Sequence, residues 1–122
     1  MTTLKSYRDL EVWTKSIELA EAVYRLSAKF PTAEKFGLTS QIRRAAVSVA
    51  ANIAEGAERD GTREFLQFLG IASGSLAETE TFLILAEKLK LATTQEVNPL
   101  LDQAATVGRM LNGLKRSLHS KL

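Results

Sequence analysis

The chain lacks cysteine altogether and has a single histidine, His119. Without thiols it cannot form a disulfide framework or a thiolate metal site, a composition that suits a reducing cytosol. One imidazole is also too few for the histidine-rich sites that bind transition metals. His119 has no acid beside it in the sequence, so a catalytic set built on histidine is not expected. We therefore predict no catalytic residue, no metal site and no cofactor.

Paired acid and histidine motifs are absent as well. A di-metal site in a helical bundle needs Glu-x-x-His pairs, and the sequence contains none. The acids that could approach one another across two predicted helices are Glu55, Glu58, Glu78 and Glu80. We interpret them as solvated or hydrogen-bonded structural residues, and we expect neither an enzyme nor a small-molecule substrate.

Long apolar runs are missing too. No segment approaches the ~18 uninterrupted apolar residues of a membrane span, and the N-terminal MTTLKSYRDLEVW has no apolar core before a cleavage site. These absences predict a cytoplasmic protein without membrane association. The remaining composition, 45% hydrophobic and 25% charged over 122 residues, is typical of one globular domain covering residues 1–122. A net charge of +2 permits nucleic-acid binding without requiring it.

The two prolines mark helix boundaries. Pro31 ends the first helix, because a residue before proline is driven out of helical geometry. Asn98 as N-cap with Pro99 at the first helical position is the favoured start of the fourth helix. Thr93 and Glu96 fit a capping box slightly earlier, so a short turn or kink is expected between them and Asn98.

Apolar residues recur at spacings of three and four between these boundaries, and no strand pattern is present. Thr39 and Thr62 are the expected N-caps of the second and third helices. Phe36, in the first connection, is expected to fold back onto the core. The sequence predicts helices at about 9–30, 39–58, 62–91 and 98–120.

The second helix carries two different stripes. Its apolar stripe consists of Ile42, Ala46, Val49 and Ile53. A polar stripe lies on a neighbouring face and consists of Gln41, Ser48, Asn52 and Glu55. These polar groups could hold a ligand or an RNA group, or they could bond backbone and side chains across a subunit contact. We favour the structural interpretation, because a buried amide or carboxylate left unpaired costs roughly 1–3 kcal/mol.

Four helices with short connections predict an all-α, antiparallel up-down-up-down bundle. Such a bundle needs one inward stripe per helix, yet two helices carry two. The first helix has Leu10, Trp13, Ile17, Ala20 and Tyr24 beside Val12, Leu19, Val23, Leu26 and Phe30. The third has Phe65, Leu69, Ala72, Leu76 and Leu83 beside Phe68, Ile71, Phe82, Leu85 and Leu89. The surplus stripes predict a homo-oligomer.

Basic residues give the only positive indication of a partner. Arg43 and Arg44 are adjacent on the second helix and point about 100° apart. From residue 109 onward the chain has no acid and four cations, Arg109, Lys115, Arg116 and Lys121. Such a segment suits phosphate contacts. Alternatively, the cations complement the helix dipole and keep the surface soluble, since no exposed aromatic platform accompanies them.

Four segments stand out when they are read together: DLEVWTKSIELAEAVY, the following FP, LTSQIRRAAVSVAANIAEG and EFLQFLGIASGSLAETETFL. In combination they resemble the four-helix bundle family of the intervening-sequence proteins, which are encoded in extra segments of bacterial large-subunit ribosomal RNA genes. The resemblance covers about residues 7–118. It implies a ring-shaped homopentamer. A related branch, the accessory variability proteins of diversity-generating retroelements, forms basic barrels that engage a reverse transcriptase and nucleic acid.

The resemblance and the basic C-terminal segment together favour a non-enzymatic, oligomeric helical scaffold that binds RNA or a ribonucleoprotein partner. The alternative is a protein–protein interaction module with no nucleic-acid role.

Overall fold

Helices form wherever apolar side chains repeat at spacings of three and four. The computed structural model describes residues 6–122, so the first five residues of the predicted domain lie outside the described range. Its helices are α1 (Glu11–Ser27), α2 (Leu38–Ala57), α3 (Thr62–Lys88) and α4 (Thr94–His119). Short 3-10 turns at Tyr7–Asp9 and Thr32–Glu34 precede α1 and α2. Residues 6–122 contain no strand, and the predicted all-α fold is confirmed.

Each helix packs against the next along the chain, and α4 returns to pack against α1. The pairs α1 and α3, and α2 and α4, make no contact and therefore lie diagonally across the bundle. This arrangement is the predicted up-down-up-down bundle. An ion pair of 3.1 Å between Lys29 Nζ and Glu96 Oε2 joins the end of α1 to the start of α4.

The core is formed by the apolar stripes that the sequence predicts. Ile42, Val49 and Ile53 of α2 are fully buried, as are Leu69 and Leu83 of α3. On α1 the inward stripe is the one that ends at Phe30, which lies just beyond the helix and still reaches the core. α4 contributes the stripe that runs from Leu100 to Leu118.

The start of α4 differs from the favoured prediction. Thr93 is the N-cap: its hydroxyl accepts from Glu96 N at 3.1 Å, and Thr93 N donates to Glu96 Oε1 at 2.9 Å. The alternative capping box is therefore correct, and the assignment of Asn98 as N-cap is wrong. Pro99 is tolerated inside the helix because its missing N–H leaves only the exposed carbonyl of Gln95 without its usual helical partner.

The start of α2 also differs. Thr39 is not its N-cap, because the helix begins one residue earlier and follows Gly37. The carboxylate of Glu34 acts from the preceding turn, where its Oε1 accepts from Leu38 N at 3.2 Å. Likewise α3 begins at Thr62 itself, with Gly61 in the cap position and no side-chain cap.

Helix α3 ends earlier than residue 91. Lys90 adopts a left-handed φ of 62°, and Leu91 N donates to the carbonyl of Ala86 at 2.9 Å. This is the hydrogen-bond pattern of a Schellman motif, which satisfies the last carbonyls and turns the chain toward α4.

The surplus stripes of α1 and α3 lie at the surface of this bundle. Ile17 and Tyr24 are exposed on α1, and Ile71, Leu85 and Leu89 are exposed on α3. By length and composition, α3 could also span a membrane. A third of its most apolar stretch is buried within the bundle. A core helix of a four-helix bundle passes the same test, so this is weak evidence for a membrane protein.

Candidate nucleic-acid interface

Arg43 lies in the groove between α1 and α2 and is half-buried. Its Nε donates to Ser27 Oγ at 2.8 Å, and its Nη2 donates to the carbonyl of Tyr24 at 3.2 Å. The guanidinium also lies over the ring of Tyr24, 4.5 Å from the centroid. These contacts place a fixed cation at the C-terminus of α1, where it complements the helix dipole.

Arg44 points away from Arg43, as adjacent helical positions require, and is exposed. Neither arginine forms an ion pair with an acid among residues 6–122, where the ion pairs involve Lys15, Arg25, Lys29 and Arg59. Neither positive charge is therefore neutralised by an acid within that range.

The four predicted cations of α4 and its C-terminal end differ in their surroundings. Arg109 donates from Nη2 to Thr106 Oγ1 at 3.1 Å on its own helix. Lys115 is half-buried and donates from Nζ to Ser73 Oγ, which ties α4 to α3. Arg116 and Lys121 are exposed. Within the described range, these four also form no ion pair with an acid.

The predicted cations do not form one site. Arg43 and Arg44 lie on α2 near its N-terminus, and the other four lie on or just after the C-terminal half of α4. Since α2 and α4 are diagonal and antiparallel to their shared neighbours, the two groups occupy different sides and opposite halves of the bundle.

The polar stripe of α2 faces α3 over part of its length. Ser75 Oγ donates to Ser48 Oγ at 2.8 Å, and Asn52 Nδ2 donates to the carbonyl and hydroxyl oxygens of Ser48 at 2.8 and 2.9 Å. The bond between Ser48 and Ser75 thus joins α2 to α3, whereas both bonds of Asn52 stay within α2. Gln41 is exposed, and Glu55 is exposed and paired with Arg59 at 3.0 Å.

Acidic residues do not gather into a metal site. Among residues 6–122, no three His, Asp or Glu side chains come together in a geometry that could hold a metal ion. For Glu96, the backbone N–H of Thr93, and then the ammonium of Lys29, hold the pKa of the carboxyl group below its usual value. Its role is to cap α4.

The structure reveals an aromatic and cationic surface that the sequence analysis missed. Phe36 does not fold back onto the core but is 90% exposed, with Lys35 Nζ 5.6 Å from its ring centroid. The helical spacing used to find buried residues gives no information within a turn. A signal was nevertheless present, because residues 24–44 contain five cations and only one acid.

Known proteins share the sequence pattern and the fold of this chain. A family model described as 23S rRNA-intervening sequence protein matches residues 8–113. The chain is also similar to a solved structure of a protein with unknown function from the S23 ribosomal protein family of Bacteroides thetaiotaomicron VPI-5482. The two are 26% identical with a TM-score of 0.79, over 85% of this chain and 97% of that one. A comparison with curated proteins gives no match.

Proposed function

The chain belongs to the family of 23S rRNA-intervening sequence proteins, and on this premise we propose that it is a non-enzymatic, oligomeric scaffold that binds RNA through its basic surface. One observation carries the proposal: none of the six predicted cations is neutralised by an acid within residues 6–122. Unpaired cations on helical surfaces attract phosphate groups and release counterions when they bind them. We propose a cytoplasmic location together with this function.

Salt dependence tests the proposal. Binding of a fluorescein-labelled structured RNA should be measured by anisotropy over a range of salt concentrations. The Arg109→Gln, Arg116→Gln double variant should bind more weakly and reduce the slope of log affinity against log salt by about 2, since each phosphate contact contributes about 1. Both residues are exposed, so the variant is expected to keep the fold.

The matched control removes two cations that already have acidic partners. Lys15 pairs with Glu18 at 3.5 Å, and Arg59 pairs with Glu55 at 3.0 Å. The Lys15→Gln, Arg59→Gln variant has the same net charge as the test variant and should keep the wild-type slope. RNA affinity that is undetectable at low salt, or that does not change with salt, would contradict the proposal.

Self-association is the second part of the proposal, and the glycines of α3 support it. Gly70 and Gly74 lie in the middle of the helix and are exposed, and a Cβ at either one would meet nothing within 4 Å. Each glycine weakens the helix by about 1 kcal/mol relative to alanine. No neighbour among residues 6–122 compensates for this, whereas the close approach of a second copy to the exposed Ile71 and Ile84 would.

A second apolar surface lies elsewhere on the bundle. Between α1 and α2 is an apolar depression of about 220 Å³, lined by Tyr7, Trp13, Ile17, Ala20, Val47, Ala50, Ala51 and Ala54. Two different apolar surfaces on one chain suit a heterologous contact, in which one surface binds the other on a neighbouring copy.

The register of α2 and α3 favours ring closure. The bond between Ser48 and Ser75, and the contact between Gly56 and Phe68, place residues 47–54 at the same height as residues 70–76. Copies related by rotation about an axis parallel to the bundle could therefore join without an axial shift. Such a contact gives a closed ring when its rotation is a whole fraction of a turn, and without an axial shift it does not generate a helical filament. Five subunits is the number implied by the family resemblance.

The alternative function is a protein–protein interaction module, which the exposed apolar side of α3 also favours. Size-exclusion chromatography of the purified protein before and after nuclease treatment separates the two functions. An RNA scaffold should lose co-purifying nucleic acid and keep its own oligomer. A monomer that never carries RNA would favour the alternative.

A further inference from the structure

Phe36 is the most exposed large apolar side chain in the described part of the protein. Its exposure is not a result of poor local structure. Lys35 N donates to the carbonyl of Thr32 at 3.0 Å, and Gly37 N donates to the carbonyl of Glu34 at 3.0 Å. The turn on both sides of Phe36 is therefore hydrogen-bonded, and it presents the ring to solvent.

A second aromatic ring with a cation lies at the same end of the bundle. Tyr24 is exposed at the C-terminal part of α1, and Arg43 is held over its ring by two hydrogen bonds. Tyr24, Lys35, Phe36 and Arg43 all lie at the end of the bundle where α1 leads into α2, and we name this group of residues the α1–α2 corner. It combines two exposed rings with two cations that form no ion pair.

Charge distinguishes the α1–α2 corner from the apolar surfaces of α1 and α3. Residues 24–44 contain one acid, Glu34, and its Oε1 is occupied by the N–H of Leu38. The cations that do have acidic partners here are Arg25 and Lys29. Protein interfaces are depleted in lysine, whereas proteins that bind single-stranded nucleic acid combine positive charge with aromatic rings.

We propose that the α1–α2 corner binds an unpaired stretch of RNA, with a base stacked on Phe36 and the adjoining phosphates held by Lys35 and Arg43. This inference rests on the proposed RNA-binding function and specifies both the site and the kind of RNA. Bases in a duplex are stacked on one another and cannot cover the ring, so the corner selects single strands. Every base has a π face, so it selects little by sequence.

The test compares a short fluorescein-labelled oligouridine with a labelled blunt-ended RNA duplex that has the same number of phosphates. Phe36→Leu keeps an apolar side chain but removes the ring. We expect it to weaken oligouridine binding about tenfold and to leave duplex binding unchanged. Phe36→Trp should retain oligouridine binding, and its indole fluorescence, above the background of Trp13 in the wild type, should be quenched when a base stacks. Leu122→Ala, another exposed apolar position, is the matched control.

Four other outcomes would overturn the inference. Equal oligouridine binding by Phe36→Leu, with loss only in the Arg109→Gln, Arg116→Gln variant, would move the site to α4 and leave the proposed function intact. A smaller oligomer of Phe36→Leu in light scattering would make Phe36 a subunit contact. Equal losses for oligouridine and duplex would indicate a structural defect. No binding of either RNA by the wild type would refute the proposed function as well.

Discussion

The Cβ that glycine lacks decides how closely α2 and α3 can pack. A Cβ on Gly56 would lie 2.7 Å from Phe68 Cβ and 3.3 Å from the carbonyl oxygen of Phe65. Neither atom is the flexible end of a side chain, so the two helices would have to separate. Gly56→Ala should therefore lower the free energy of unfolding by roughly 1–3 kcal/mol, measured by urea denaturation.

A second glycine provides the control for this substitution. At Gly113, also inside a helix, a Cβ would meet only the mobile end of Arg116 at 3.9 Å. Gly113→Ala should raise the free energy of unfolding by up to about 1 kcal/mol, because alanine favours the helix. If both substitutions had the same effect, close packing at Gly56 would not be the cause.

Individual residues also show what sequence patterns can and cannot predict. The buried positions Ile42, Ile53 and Leu69 follow from helical spacing, because a stripe of apolar side chains has to face a neighbour. Phe36 was predicted to be buried on its chemistry alone and is exposed. The contacts of Arg43 with α1 depend on how two helices pack, which the local sequence does not encode.

At the scale of the helix, Glu96 couples the stability of α4 to pH. Its carboxylate accepts from Thr93 N and pairs with Lys29, and these contacts lower its pKa in the folded state below 4.5. The stabilisation is therefore present above about pH 4.5, the ordinary pKa of the carboxyl group. It is lost as the pH falls through the lower pKa of the folded state. Glu96→Gln, which keeps an acceptor for Thr93, should have a lower Tm than the wild type at pH 7.

The same pair of proteins supplies the acid-pH comparison. The difference in Tm between the wild type and Glu96→Gln should shrink as the pH is lowered below about 4.5. Far-ultraviolet circular dichroism, which reports helix content, follows the unfolding transition. A difference that stayed constant from neutral to acid pH would show that the charge of Glu96 does not matter.

The helix boundaries illustrate why elements are easier to predict than their ends. Four helices follow from periodicity, but the ends of α2 and α4 depend on competition between caps. Thr93 and Glu96 together satisfy two backbone N–H groups, and the helix tolerates Pro99 in its interior. Residue preferences alone favour Asn98 as the N-cap of α4. They take no account of Val97, whose burial holds the turn before Asn98 in the helix.

At the scale of the whole molecule, Gly74 distinguishes a single subunit from an assembly. Alanine at this exposed position should stabilise the isolated chain by up to about 1 kcal/mol through helix propensity. In an assembly whose contact includes α3, the added methyl group should separate the helices. Gly74→Ala should therefore give a smaller mass in light scattering across a dilution series, with Gly113→Ala as the control.

The diagnostic result for Gly74→Ala is a higher free energy of unfolding of the isolated chain together with a smaller mass of the assembly. A helix that becomes more stable while the assembly dissociates can be explained only if a second copy covers Gly74. If Gly74→Ala changed neither the mass nor its dependence on concentration, the outer side of α3 would not be a subunit contact.

The length of α4 has an electrostatic consequence. The ion pair of Lys29 with Glu96 puts the α1–α2 corner beside the start of α4, whereas Lys121 lies just beyond its end. With 26 residues at about 1.5 Å each, α4 is about 39 Å long. The Debye length at physiological ionic strength is only about 8 Å. The two basic regions are thus screened from each other, and an RNA too short to span the helix neutralises one and leaves the charge of the other unchanged.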